Sequence, residues 1–166
     1  MHKIKKVKTE DIMPVMKEIL GQGGKVRIPV SGRSMLPFLH QDKDSVELSA
    51  VNFSVIKRGD IVLIVRETGV YVLHRVLRKY DGCFYINGDS QQWTEGPLQP
   101  EQLIAVATAV WRNGKHIECS SLLWRASGII WLYIKPFRNF IFHLYGLIKR
   151  VLSRITSLLF SKTSNH

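Results

Sequence analysis

The sequence predicts a mainly β fold, a small coiled sheet or barrel, with a short N-terminal helix and basic amphipathic helices at the C-terminal end. Three observations carry this. Between Lys25 and Cys119 lie several short runs rich in Val, Ile and aromatic residues, the composition of strands. Thr68-Gly69, Asp81-Gly82 and Asn113-Gly114 each supply a residue that accepts positive φ, as tight hairpins require. After Leu122 the pattern changes: apolar and aromatic residues alternate with isolated Lys and Arg at helical spacing. Three regions result: an N-terminal helix within 1–24, a β domain over 25–119 and a basic helical tail over 120–166.

Taken in order, Ile12, Val15, Met16, Ile19 and Leu20 recur at the spacing of an amphipathic helix. Thr9 fits its N-cap, and Glu10 and Asp11 fall in the first turn, where the helix dipole favours acids. Pro14 is tolerated that early, and Gly21, Gly23 and Gly24 end the helix. Strands are predicted over 25–30, 45–48, 61–66, 70–78, 83–87 and 104–111, with 116–119 folding back on Trp111. In the tail, Arg125, Lys135, Arg138, His143, Lys149, Arg150 and Arg154 share one side of a helical wheel. Trp124, Ile130, Trp131, Ile134, Phe137, Ile141, Leu144, Ile148, Val151 and Leu152 occupy most of the remainder. Lys135-Pro136 is expected to break the tail into two helices.

The 166 residues are 45% hydrophobic, enough for one domain with a real core and too apolar for a disordered chain. The formal charge is +11, and its distribution is informative. From Cys119 to His166 there are seven Lys/Arg and no Asp or Glu, whereas the first 118 residues hold 17 basic and 13 acidic side chains. The excess therefore sits in the tail. A helix with Trp, Phe and Leu on one face and Lys/Arg on the other suits the surface of an anionic membrane, so a membrane surface is the expected partner and nucleic acid is not; packing of the tail onto the β domain or a partner protein is the alternative. Lys135, Arg138, Lys149 and Arg150 would be costly at mid-bilayer, and no run of about 18 apolar residues spans one. No secretory signal peptide is predicted, since Thr9, Glu10 and Asp11 follow the basic start Met1–Lys8. The expected location is peripheral, on the cytoplasmic face. Cys83 and Cys119 are read as ordinary thiols rather than a disulfide. No His/Cys pair has zinc-ligand spacing, and no metal or other cofactor is expected.

The segment Val30-Ser31-Gly32-Arg33-Ser34-Met35-Leu36-Pro37-Phe38-Leu39 is the most informative. Gly32 lets the backbone turn sharply before Ser34, and Pro37 fixes the exit. Three further segments follow: Arg58-Gly59-Asp60-Ile61-Val62 leads into a strand, Val72-Leu73-His74-Arg75-Val76 lies within another, and Ile86-Asn87-Gly88-Asp89 ends a third. This ordered set resembles the type I signal peptidases. Their pattern is a Gly-x-Ser-Met-x-Pro box, a Gly-Asp-Ile-Val box, a basic residue before Arg-Val, and a Gly-Asp box. The match covers about residues 26 to 112. Each box alone is weak; four in sequence carry the resemblance. His74 stands where many bacterial members have Lys, which is similar to the endoplasmic-reticulum type, also found in some bacteria and archaea.

The resemblance implies a coiled β-sheet fold shared with LexA-like peptidases. It also implies a serine endopeptidase that cleaves leader or signal peptides after small residues. Ser34 would be the nucleophile and His74 the general base. A histidine has an ordinary pKa near 6.5 and needs little tuning to accept a proton, which it then gives to the leaving amine. The family also implies carboxylates at Asp89 and at Glu95, six residues on. Glu95 departs from the pattern, which generally has Asp there. Asp89 is favoured for a supporting role and is also a natural turn residue after Asn87-Gly88; Glu95 reads equally as an exposed loop acid. The carboxylate that orients His74 stays open between them. The Ser34 N–H is the first oxyanion donor. Some relatives add a hydroxyl at the position of Gly32, so no second donor is identified; Ser31 is one place off. Met35 is expected under the nucleophile or lining the substrate pocket, and Arg75 paired with an acid such as Asp60 or solvated. His40, His116 and His143 read as surface or interfacial residues, and Trp93 and Trp111 as packing residues. A sheet edge near Ser34 offers an extended peptide a place as an added strand.

Two other readings compete. One is a self-cleaving regulatory domain like those of LexA-type repressors; these use a Lys base and carry a DNA-binding domain ahead of the peptidase. The other is a non-catalytic membrane-binding module, which the charge alone supports but which has no need of the four boxes.

Overall fold

The computed structural model describes residues 9–138, 140–148 and 150, with side chains from Ile12 onward. The basic start Met1–Lys8, the side chains of Thr9, Glu10 and Asp11, and Lys149, Val151, Leu152, Arg154 and Lys162 of the predicted tail lie outside the described residues.

Helix α1 (Thr9–Gly21) precedes eight strands. These are β1 (Lys25–Pro29), β2 (Asp44–Ser49), β3 (Ile61–Val65), β4 (Tyr71–Tyr80), β5 (Cys83–Asn87), β6 (Glu95–Leu98), β7 (Leu103–Arg112) and β8 (Lys115–Glu118). They form one antiparallel sheet in the order β1-β2-β7-β3-β4-β5-β6, with β8 paired to β7. The fold is mainly β, as the sequence predicts, and the sheet is open rather than closed into a barrel: among the described residues β1 pairs only with β2 and β6 only with β5. Register shifts at Glu47/Leu48, Leu63/Ile64, Val76/Arg78 and Phe84/Ile86 bend it, since an extra residue in one strand raises the local twist.

Both faces of the coiled sheet are covered. Ile61 and Leu63 of β3 join one apolar cluster with Met13, Met16 and Leu20 of α1 and with Met35, Leu39, Leu48 and Val110. Val62 and Ile64, pointing the other way, join Ile56, Val76, Phe84, Ile86 and Leu98. Double-sided burial explains why Ile61–Val65 is an unbroken apolar run rather than an alternating one. Helix α1 divides its apolar residues differently from the single face expected. Met13, Met16 and Leu20 are buried, whereas Ile12, Val15 and Ile19 are exposed, because only the former row faces the sheet.

The hairpins turn where expected. At the last of them Asn113 and Gly114 both take positive φ, 50° and 76°, the pairing a two-residue hairpin turn needs. Strand β6 was not expected; its Glu-Gly-Pro-Leu sequence carries no strand signal, and its pairing with β5 supplies the conformation. Both cysteines are free, and burial pushes the Cys119 thiol up to about 12, in keeping with an inert thiol.

The chain falls into two compact units, Met1–Leu132 and Tyr133–His166. Helix α2 (Leu122–Tyr133) thus lies almost wholly in the first unit, although its sequence reads as tail. Trp124 packs against the α1-side cluster and Gly128 is buried, while Leu122, Leu123 and Ile130 are exposed. Ile130 and the two tryptophans therefore do not share one face. In the second unit a 3-10 turn at Lys135–Phe137 stands where Pro136 was expected to break the helix, and residues 140–148 are helical. Among the described residues no helix is long and apolar enough to cross a membrane.

Candidate active site

The loop bearing Ser34 leaves edge strand β1 directly. Val30 N–H donates to Asp44 O at 2.9 Å, Gly32 then takes φ 78°, and the chain turns into a short coil in which Leu39 N–H donates to Met35 O at 2.9 Å. Met35 and Leu39 are buried in the α1-side cluster. Met35 therefore packs beneath the loop, the first of its two expected places. Ser34 itself is half-buried.

A second grip comes from the turn after β5. Ser90 N–H donates to Ser34 O at 2.8 Å, and the Ser90 hydroxyl donates to Arg33 O at 2.9 Å. Gly88 permits this approach: a Cβ there would lie 2.8 Å from Ser34 O and 2.5 Å from Gln91 Oε1. The Gly of this turn is thus a matter of space for the backbone of Ser34. The Ser34 N–H meets no acceptor among the described residues. No second donor is identified.

His74 sits on β4 opposite Val62 and is only 3% exposed. The sheet register brings Glu95 to it. Val76 pairs with Ile86, and Ile86 with Glu95, so these three share the face on which His74 lies two residues along. Glu95 Oε2 is 3.7 Å from His74 Nδ1, an ion-pair approach longer than a hydrogen bond. Nδ1 is sealed from solvent and, among the described residues, has no hydrogen-bond partner. The Glu95 carboxylate is held by Arg66, whose Nε donates to Oε1 at 2.5 Å and whose Nη2 donates to Oε2 at 2.7 Å. These bonds hold the Glu95 carboxyl below the usual range. Burial pushes His74 down to about 4; Glu95 opposes this and Arg66 adds to it. At neutral pH His74 is neutral and Glu95 ionised.

Asp89 has a different neighbour. Its two oxygens accept from Arg75, Nε at 2.8 Å and Nη2 at 2.7 Å, and neither residue is exposed. Arg75 Nη1 donates to Gly59 O at 2.8 Å, and its guanidinium lies 4.5 Å from the Phe38 ring centre. Arg75 is thus paired with an acid, as one of its two readings had it, but the acid is Asp89 rather than Asp60, and the guanidinium is not solvated. Asp60 instead accepts from Lys57 N–H at 2.7 Å, and burial raises its carboxyl. Asp89 is therefore the partner of Arg75, whereas Glu95 is the carboxylate beside the imidazole.

Two residues escaped the sequence reading. Arg66 follows β3 with no motif to mark it. Trp131, assigned to the tail, donates from Nε1 to Asp89 O at 2.8 Å. Trp93, expected to pack, is 61% exposed; Trp111 does pack, with Arg27 4.4 Å and His116 4.7 Å from its ring. Among the described residues no group of His, Cys, Asp and Glu is arranged to hold a metal.

Ser34 and His74 are joined by no direct hydrogen bond among the described residues. Their elements are fastened together instead: the 88–90 turn holds the Ser34 loop, and Asp89 in that turn holds Arg75, the residue after His74. Nucleophile–base bonds are often loose before substrate arrives. No family model matches this chain, and no curated protein matches it.

Proposed function

We propose that this chain is a serine endopeptidase of the signal-peptidase kind, with Ser34 as nucleophile, His74 as general base and Glu95 as the carboxylate beside it. The observation that carries this is the buried, neutral imidazole whose sealed Nδ1 lies 3.7 Å from an ionised Glu95, on the strand tied to the Ser34 loop. In the reaction, Ser34 Oγ bonds to the scissile carbonyl carbon and its proton passes to His74. The Ser34 N–H donates to the oxyanion. His74 then protonates the leaving amine, and water, deprotonated by His74, releases the acyl group. The substrate is an extended leader-bearing peptide or protein, with the unpaired edge of β1 as its docking strand. Small residues before the cut are what the resemblance implies.

Peripheral attachment to an anionic membrane belongs to the same proposal. It is supported by the exposed Leu122, Leu123 and Ile130 of α2 and by the run from Cys119 onward that lacks any acid. Flotation with anionic vesicles tests it; protein that stays unbound at low salt counts against it.

Ser34→Ala and His74→Ala test the chemistry. Each is expected to abolish cleavage of a leader peptide while leaving circular dichroism unchanged. Full activity in either variant rejects the assignment.

A further inference from the structure

The Glu95 carboxylate has two claimants. Arg66 takes both oxygens in a fork, and the oxygen bound by Nη2 is the same Oε2 that lies 3.7 Å from His74 Nδ1. Nδ1 is buried and, among the described residues, has no hydrogen-bond partner. A carboxylate shift of about 1 Å would bring Oε2 into hydrogen-bond range of the imidazole, at the expense of the Arg66 fork. We propose that Arg66 is a positioning residue that sets how readily His74 takes a proton, by competing with the imidazole for Glu95.

The inference rests on His74 being the base, and deepens that reading. The charged groups facing His74 are Glu95 from β6 and Arg66 from the β3–β4 hairpin. Val62 of β3 faces it across the ladder, and the cluster on its side of the sheet is apolar. With Glu95 on Arg66, burial dominates and the imidazole stays neutral. With Glu95 drawn to Nδ1, the imidazolium formed by the Ser34 proton has an anion to donate to. Nε2 gains that proton, Nδ1–H remains in place, and no other reagent is needed. Arg66 is the exposed member of the trio, its side chain 37% accessible against 19% for Glu95 and 3% for His74. It is therefore the member that solvent or a bound peptide reaches first.

The test is the imidazole titration of His74 in the full chain, followed by NMR and assigned with His74→Gln. Arg66→Gln is expected to raise the His74 pKa by about one unit or more. Arg66→Lys, a point charge that cannot hold both oxygens, is expected to fall between it and wild type. Glu95→Gln should give no rise, and Arg66→Gln with Glu95→Gln should lose most of the rise. A titration unmoved in Arg66→Gln overturns the inference. So does an equal rise in the double variant, which traces the effect to lost positive charge alone. If Arg66→Gln fails to fold, Arg66→Lys decides: no rise overturns the inference. The titration needs no turnover, so an inactive wild-type protein sinks the peptidase assignment while the competition for Glu95 stands or falls by itself. With an active enzyme, the acid limb of kcat/KM should move by the same amount as the titration.

Discussion

Arg75 grips Asp89 through two parallel hydrogen bonds, at 2.8 and 2.7 Å, with both side chains closed to solvent. Arg75 follows the candidate base on β4. Asp89 stands between Gly88 and Ser90, which meet the Ser34 loop. One ion pair thus couples the strand of the imidazole to the turn that holds the hydroxyl's backbone. A buried pair of this kind is weak evidence of net stabilisation but strong evidence of geometric dependence, because removing one partner strands the other charge.

Asp89→Ala is accordingly expected to destabilise the protein by about 3–5 kcal/mol, read as a lowered urea midpoint at neutral pH. The loss should be larger than that of Glu95→Ala, whose partner Arg66 regains water on its exposed side. Equal losses would show that Asp89 does not carry this burden.

The β fold and the loops of the candidate site were legible in the sequence, and the limits of that reading have physical reasons. Gly32 and the hairpin pairs announce themselves because positive φ restricts residue type locally. The apolar run Ile61–Val65 announces a strand but not its burial on both faces. The partner of Arg75 was not legible, and that of His74 was narrowed only to Asp89 or Glu95, because a carboxylate's choice depends on sheet register. Asp60, the Asp of the Gly-Asp-Ile-Val box, binds its own turn, and Glu95 reaches His74 only through the β4-β5-β6 ladder. Strand β6 has no propensity of its own to read. Helix α2 misled for another reason: a wheel separates polar from apolar positions but does not say which apolar row meets protein.

That helix yields a second prediction. Gly128 faces Arg75, and a Cβ there would lie 2.6 Å from Nη1. Gly128→Ala should therefore cost about 1–3 kcal/mol by overpacking a buried guanidinium. Trp131→Phe removes the donor to Asp89 O and should cost about 1 kcal/mol. Both are read by denaturant unfolding. A neutral result in both would detach α2 from the support of the site.

The depressed His74 gives a pH dependence with a definite sign. Its folded value is about 4, against about 6.5 when unfolded, so between these values the unfolded chain binds more protons. Stability from this group is present above about pH 6.5 and is lost as pH falls toward 4, up to about 3 kcal/mol in all. His74→Phe should flatten that part of the stability profile, measured by urea unfolding at a series of pH values. An unchanged slope would mean that the imidazole is not held neutral by burial.

Gly88 offers the sharpest separation of fold from chemistry. Its missing side chain admits the Ser34 carbonyl oxygen, 2.8 Å from where a Cβ would stand. That oxygen belongs to backbone and cannot swing aside as a flexible side chain would. Gly88→Ala must therefore push the turn and the Ser34 loop apart, loosening the Ser90 bonds to Ser34 O and Arg33 O. The buried Arg75–Asp89 pair can persist at the same time. The expected result is a modest stability loss of about 1–3 kcal/mol with a disproportionate fall in kcat for leader-peptide cleavage, since misplacing a nucleophile by about 1 Å can cost about a hundredfold. Ser90→Ala, which removes only the hydroxyl bond to Arg33 O, should show a smaller fall in the same direction. Wild-type kcat in Gly88→Ala would mean that the grip of this turn on Ser34 does not govern the reaction.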